Sequence, residues 1–266
     1  MELKKSSKKL ITLLTDFGSL DSYVGIMKGV IYSINPDATI VDLTHEIPPQ
    51  DLHSGRFNLL RSVPFFPPET IHVAIVDPGV GTKRRGIAVK FKQGYLIGPD
   101  NGLMSGVFDI YPPESAVELT NTKYWRDENP SSTFHGRDIF SPVAAHLSKG
   151  VPFLDLGKEI GVDTLTKLEL PKVVATEKGA LGVIQYIDVY GNIISNIPNE
   201  HVNNKSFTAD IASKSIKSVL AYGDADSGEL LTLEGSHGFI EIAVNKGNAA
   251  KLLNCSVGEP ITVKII

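Results

Sequence analysis

The hydrophobic period of this chain changes once, near residue 164, and that change limits the folds open to it. Before it, short apolar runs alternate with segments whose apolar residues recur at helical spacing. After residue 173 only β-type runs separated by turn residues remain. The first pattern implies an α/β domain with a mostly parallel sheet sandwiched by helices, because parallel strands are buried on both faces and read as continuous apolar runs. The second implies a smaller all-β domain, barrel-like or a sandwich. The expected domains are residues 1–166 and 173–266, with a linker around Pro171.

Within the first part, residues 10–14 form an apolar strand that runs into Thr15-Asp16-Phe17-Gly18. Val24, Met27, Val30, Ile31 and Ile34 then mark a helix, with Asp21 or Ser19 as its cap and Asn35-Pro36 as its stop. Strands follow at residues 38–43 and 71–76, with a helix near 52–60 between them. Two further strands, 87–91 and 95–98, are joined by the turn Gln93-Gly94. Helices resume at 102–108 and after Asp138, which is placed to cap a segment that Gly150 ends. The second part offers strands at 182–187, 230–233, 239–244 and 260–265.

Overall chemistry excludes several classes. Of 266 residues, 42% are hydrophobic and 21% charged, the balance of a globular protein. A net charge of -4 gives no electrostatic reason for a nucleic-acid partner. The single cysteine, Cys255, excludes an intramolecular disulfide and a multi-thiolate metal site, which suits a reducing compartment. The basic start, Lys4-Lys5 and Lys8-Lys9, resembles the first part of a signal peptide, but Asp16 cuts the following apolar run too early for export. No window reaches the ~20 apolar residues of a membrane span. A cytoplasmic protein is expected, with no membrane partner.

Three carboxylates stand at strand ends, Asp16, Asp77 and Asp100. The carboxyl ends of parallel strands are where α/β sheets bind ligands, although a lone aspartate there also serves as a cap, which suits Asp100 before Asn101-Gly102. The loop from Asp77-Pro78-Gly79-Val80-Gly81 to Arg84 has the glycines and basic residues of a phosphate loop, but the element after it reads as a strand. Its glycines are turn-makers, and Asp77 with Arg84 makes a carboxylate and a guanidinium on one tight loop. In Thr133-Phe134-His135-Gly136-Arg137-Asp138 an imidazole precedes a helix start, whereas His72 and His146 sit in apolar segments and read as packed. Asp16, Asp77, His135 and Asp138 could serve a metal, without any supporting ligand spacing. Asp188-Val189-Tyr190-Gly191-Asn192 and Ser236-His237-Gly238 read as turns between strands of the second part.

Taken together and in this order, Thr15 to Gly18, Val76 to Gly81 with Arg84, Gly98-Pro99-Asp100-Asn101-Gly102, Phe134 to Asp138, Asp188 to Asn192, and Ser236 to Ala243 resemble the S-adenosylmethionine hydroxide adenosyltransferases, hydrolase relatives of fluorinase and chlorinase. The resemblance implies hydrolysis of S-adenosyl-L-methionine to adenosine and L-methionine by attack of water on the ribose C5′, without a cofactor or metal. It implies that Asp77, Arg84 and His135 activate the water and that Asp16 holds the ribose diol. Asn192 would meet the adenine, and Asp188, Tyr190, Ser236, Glu241 and Val244 would line the rest of the substrate. It further implies a homotrimer with sites between subunits. The halogenating relatives replace the aspartate and histidine of the trio and insert a long loop before the Asn-Gly element. Here Asp77, His135 and Gly136 stand and sixteen residues separate Gly81 from Gly98, which favours water over halide. His237 lies where the fluorinase-like sequences carry arginine. The competing readings are a metal-dependent hydrolase of a nucleoside-like substrate, and a non-catalytic protein that binds adenosine or S-adenosylmethionine.

Overall fold

The computed structural model describes residues 10–266, so the expectation placed on the basic N-terminal residues lies outside it. The chain divides into two compact units, one reaching to Leu168 and the other beginning at Glu169.

The first unit runs β1 (Leu10–Thr15), α1 (Tyr23–Ile34), β2 (Thr39–Thr44), α2 (Leu52–Ser62), β3 (Thr70–Ile75), β4 (Gly86–Phe91), β5 (Gly94–Pro99), α3 (Ser105–Ile110), β6 (Pro113–Glu118), α4 (Ser141–Ser148) and β7 (Lys158–Ile160). Its seven-stranded sheet has the order β2-β1-β3-β5-β4-β6-β7. The α/β layout stands, and the sheet is mixed: β2, β1, β3 and β5 are mutually parallel, while β4, β6 and β7 continue it antiparallel. The tight two-residue turn at Lys92-Gln93, one residue before the expected position, is the reason. It folds β5 back beside β4 without a crossover helix, and β5 then slots between β4 and β3.

Strand periodicity distributes the core. Ile11, Leu13, Ile71, Val73 and Ile75 face the layer holding Met27, Ile31, Phe140 and Val143, which come from α1, α4 and the turn before α4. The intervening Leu14, Ala74 and Val76 face Leu59, Leu103 and Val107 from α2, α3 and the loop between the sheet and α3. Every residue of β3 is buried, as a strand covered on both faces requires. His72 is packed as expected. Its Nδ1 lies 2.8 Å from Thr12 Oγ1, and its ring meets Phe66 edge-on.

Three local expectations change. Ser22, not Asp21 or Ser19, stands at the start of α1, and it makes no side-chain cap. Asp138 does not cap α4. It sits inside a π-turn, Gly136–Phe140, and its buried carboxylate accepts from Ser131 N at 2.9 Å and from Arg137 Nε at 2.6 Å. Asp100 caps nothing either, because Arg85 Nε donates to it at 2.9 Å and Thr166 N at 2.8 Å. In both cases the carboxylate is taken by a charge-assisted arginine pair together with a backbone amide outside the helix or turn it was expected to cap. By contrast Asp51 caps α2 through Ser54 N.

The second unit contains β8 (Val174–Thr176), β9 (Gly179–Ile187), β10 (Ile193–Pro198), β11 (Phe207–Ile211), β12 (Lys214–Lys217), β13 (Leu230–Glu234), β14 (Phe239–Val244), α5 (Ala249–Leu253) and β15 (Pro260–Ile265). All named pairings are antiparallel, in the order β12-β11-β15-β9-β10-β14-β13, with β8 added beside β9. Ser218, just beyond β12, bridges Thr232 in β13, and Val219 N donates to Thr232 O at 2.9 Å. The two end strands thus meet and nearly close a barrel, which removes the exposed edges an open sheet would carry. Its interior is filled by Ile184, Ile193, Phe207, Ile240, Ile242, Ile261 and Val263.

Candidate functional site

In the first unit the site is built on two adjacent parallel strands. Thr15 at the end of β1 is in register with Ile75 at the end of β3, so the chain leaves the sheet there twice, through Asp16 and through Val76-Asp77. Two glycines let neighbouring loops close over these ends. Gly81 has φ 75°, and a Cβ there would stand 2.2 Å from Ser132 O, so the loop carrying Arg84 lies directly against the loop carrying His135. A Cβ on Gly136 would meet Met27 Sδ at 3.2 Å and Ile75 Cδ1 at 3.3 Å, which brings the backbone of His135 close to the end of β3.

Arg84 joins the expected trio. Its Nε donates to Asp77 Oδ1 at 3.0 Å, its Nη2 meets Asp77 Oδ2, and the same Nη2 lies 2.9 Å from His135 Nδ1. The Asp77 and Arg84 side chains are buried to 6% and 11% exposure, and the guanidinium rests 5.3 Å from the centre of the Phe140 ring. Because Arg84 has only protons to offer, Nδ1 of His135 must accept, and the neutral ring carries its proton on Nε2. Burial holds His135 below the ordinary histidine range, and the charge of Arg84 adds to the effect, with Asp77 and Asp138 opposing it. A cavity of about 40 Å³ adjoins Asp77 and His135, walled by Phe17, Ile75, Val80 and Phe134. A water needs roughly 10–15 Å³ of such space, so the cavity admits a few waters beside a carboxylate and an imidazole.

Asp16 stands at the neighbouring strand end, with Oδ2 accepting from Gln50 N at 2.8 Å. No group of three or more His, Cys, Asp or Glu side chains is arranged to hold a metal among the described residues, and the set Asp16, Asp77, His135 and Asp138 does not gather into one.

In the second unit, Asp188 shapes the turn between β9 and β10. Its Oδ1 accepts from Tyr190 N at 2.9 Å and Asn192 N at 2.8 Å, and its Oδ2 from Asn192 Nδ2 at 3.0 Å. That turn leaves Tyr190 exposed and places it with Asn192 and Val244 on a cavity of about 340 Å³. Glu241 is buried and anchors two side chains, accepting from Tyr222 Oη at 2.6 Å and lying 3.0 Å from His237 Nε2. Ser236 lies exposed in the turn before β14, away from that cavity's lining. Tyr222 was absent from the sequence-based set and lines the cavity together with Lys246. Burial raises its phenol, and the bond and charge of Glu241 raise it further. It belongs to a short loop segment without periodicity, and an aromatic among small and acidic residues was the one signal available.

No described helix is long and apolar enough to cross a membrane. Residues 11–157 match the model of the SAM hydroxide adenosyltransferase N-terminal domain, and residues 182–262 match that of the C-terminal domain. A protein of Salinispora tropica named (R)-S-adenosyl-L-methionine hydrolase is 37% identical over 95% of this chain and 97% of its own. One of the same name from Thermus thermophilus is 34% identical, over 94% and 98%. A fluorinase of Actinoplanes is 27% identical over 96% and 97%. The crystal structure of an uncharacterized conserved protein from Thermotoga maritima superposes with a TM-score of 0.90 at 38% identity, over 96% of this chain and all of that one. With both domain models matched in order and relatives alike over nearly their whole length, this chain belongs to the SAM hydroxide adenosyltransferase family.

Proposed function

We propose that this protein hydrolyses S-adenosyl-L-methionine to adenosine and L-methionine by in-line attack of water on the ribose C5′. Family membership supports the substrate, and the observation that carries the chemistry is the bridge from Arg84 to both Asp77 and His135 beside a water-sized cavity. In this reaction the O–C5′ bond forms as the C5′–S bond breaks, and the sulfonium takes the bond's electron pair to leave as a neutral thioether. No general acid is needed on the leaving side, so the protein's task is to aim the nucleophile and accept its proton. His135, carrying its proton on Nε2, donates to the water oxygen. Asp77, held by Arg84, accepts the water's proton.

Asp16 serves as the carboxylate for the two ribose hydroxyls. Asn192, Tyr190 and Val244 serve the adenine side, while Asp188, Ser236 and Glu241 shape the remainder of the substrate site. The working form, by resemblance to the family, is a homotrimer whose sites draw on neighbouring subunits, which suits site residues divided between the two units. The protein acts in the cytoplasm, without a cofactor.

The test is incubation with S-adenosyl-L-methionine in heavy-oxygen water, run on both sulfonium epimers because the curated relatives carry the (R) designation. Heavy oxygen should appear at the 5′ position of adenosine. Label in methionine or at the glycosidic carbon would refute attack at C5′. Loss of activity on chelation with recovery on adding a divalent cation would support the metal-dependent reading, and tight binding without product would support a sensor. Light scattering should give a trimer, and a fully active monomer would remove the shared-site assignment.

A further inference from the structure

Asp16 is mounted on a framework supplied by the segment that follows β2. Thr15 Oγ1 accepts the amide proton of Phe17 at 3.2 Å and lies 2.8 Å from His45 Nδ1. The carbonyl of the same His45 accepts from Gly18 N at 2.7 Å. One residue therefore holds the chain on both sides of Asp16, through its side chain before it and its backbone after it. Five residues further on, Gln50, at φ 66°, turns its amide onto Asp16 Oδ2 at 2.8 Å.

The imidazole of His45 is itself enclosed beside a carboxylate. It is 11% exposed, and its Nε2 stands 3.1 Å from Asp42 Oδ1, while Lys28 Nζ donates to Asp42 Oδ2 at 2.6 Å. A threonine hydroxyl has one proton to give. Asp42 Oδ1 stands near Nε2 without an aligned hydrogen bond, and its negative charge favours the ring proton on Nε2, leaving Nδ1 to accept from Thr15. Lys28, Asp42, His45 and Thr15 thus form one polar chain that starts on the face of α1, crosses the end of β2 and stops at the residue before Asp16.

We propose that His45 is the positioning residue for Asp16, setting how well this carboxylate grips a vicinal diol. The inference rests on the assignment of Asp16 to the ribose hydroxyls. A carboxylate that must meet two hydroxyls at once is more sensitive to its angle than one making a single bond, and a loop free to swing would lose the paired geometry first. A purely structural role for His45 would lower stability and leave the selectivity for the diol intact.

The experiment compares the affinities of adenosine and 2′,3′-dideoxyadenosine by calorimetry in wild type, His45→Ala, His45→Gln, His45→Asn and Thr15→Val. The ratio of the two affinities measures the grip on the diol. Loss of one buried hydrogen bond behind Asp16 should shrink that ratio by about threefold to tenfold in His45→Ala, His45→Gln and Thr15→Val. His45→Asn, whose amide oxygen can stand where Nδ1 does, should keep most of it. The double variant of Thr15→Val with His45→Ala should be no worse than either alone, and KM should rise with a smaller change in kcat. A full ratio in His45→Ala, or a His45→Asn protein as impaired as His45→Gln, overturns the inference. If His45→Ala fails to fold, Thr15→Val carries the same test, and a full ratio there overturns it equally. A wild type that binds both nucleosides alike removes the diol role of Asp16, and this inference falls with it.

Discussion

Arg84 reaches His135 across fifty-one positions of sequence, placing its Nη2 at 2.9 Å from Nδ1 while the same guanidinium grips Asp77. Residues joined this way act as a unit, so removing any one should abolish most of what all three supply. Asp77→Asn, Arg84→Lys and His135→Ala should each reduce kcat by ~10²–10⁴, and double variants should be scarcely slower. Lysine is included because a single ammonium cannot reproduce the fork that meets a carboxylate and an imidazole together. Single-turnover rates that fall by small, multiplicative factors would contradict a unit.

The pH profile follows from the proton placement on His135. Nδ1 accepts from Arg84 only while the ring is neutral, and burial, reinforced by Arg84, keeps its pKa below the ordinary value. The acid limb of kcat/KM should therefore lie below about pH 6.5, with activity lost as pH falls through it. In His135→Asn the residual activity should lack this limb. A limb above that pH, or one that persists unchanged in the variant, would assign it to another group.

Asp16 should control binding more than chemistry. Asp16→Asn keeps an oxygen for Gln50 N but loses the charge that strengthens bonds to the ribose hydroxyls. Adenosine affinity should weaken by about 1–3 kcal/mol, read by calorimetry. Unchanged affinity would take Asp16 out of the site.

Stability should depend on pH through His72, which lies within β3 and does not line the proposed site. Burial lowers its pKa to about 4, so the folded protein keeps the ring neutral where the unfolded chain, titrating near about 6.5, takes up a proton. The unfolded state binds more protons in that window, so stability should fall as pH drops from about 6.5 to about 4, by about 3 kcal/mol from this group, and level off below. Urea denaturation across that range should show a flatter curve for His72→Asn, at a cost in stability at pH 7. Parallel curves for wild type and variant would contradict the assignment.

Much of the architecture was legible from period alone. Apolar runs broken by helical spacing specify strands and helices because each must hide one face or two, and the loss of helical spacing after residue 164 marked the β unit. The acidic strand ends were legible for a related reason, since a parallel strand leaves its carboxyl end open to a ligand. The loop itself paired Asp77 with Arg84, while family resemblance was needed to add His135, fifty-one positions from Arg84.

What only the tertiary structure decided were the matters settled by partners distant in sequence. Local rules made caps of Asp100 and Asp138, but Arg85 and Thr166 hold the first carboxylate, and Arg126 and Ser131 meet the second beside its neighbour Arg137. The proton position on His135 depends on Arg84, and the placement of Asp16 depends on His45 and Gln50. Tyr222, in a loop segment, lines a cavity while bonded to Glu241 of β14. Sequence determines which groups are present and which elements they ride on, because propensity and period act over a few residues. Hydrogen-bond partners, burial and proton positions are set by contacts that exist only once the chain has closed on itself.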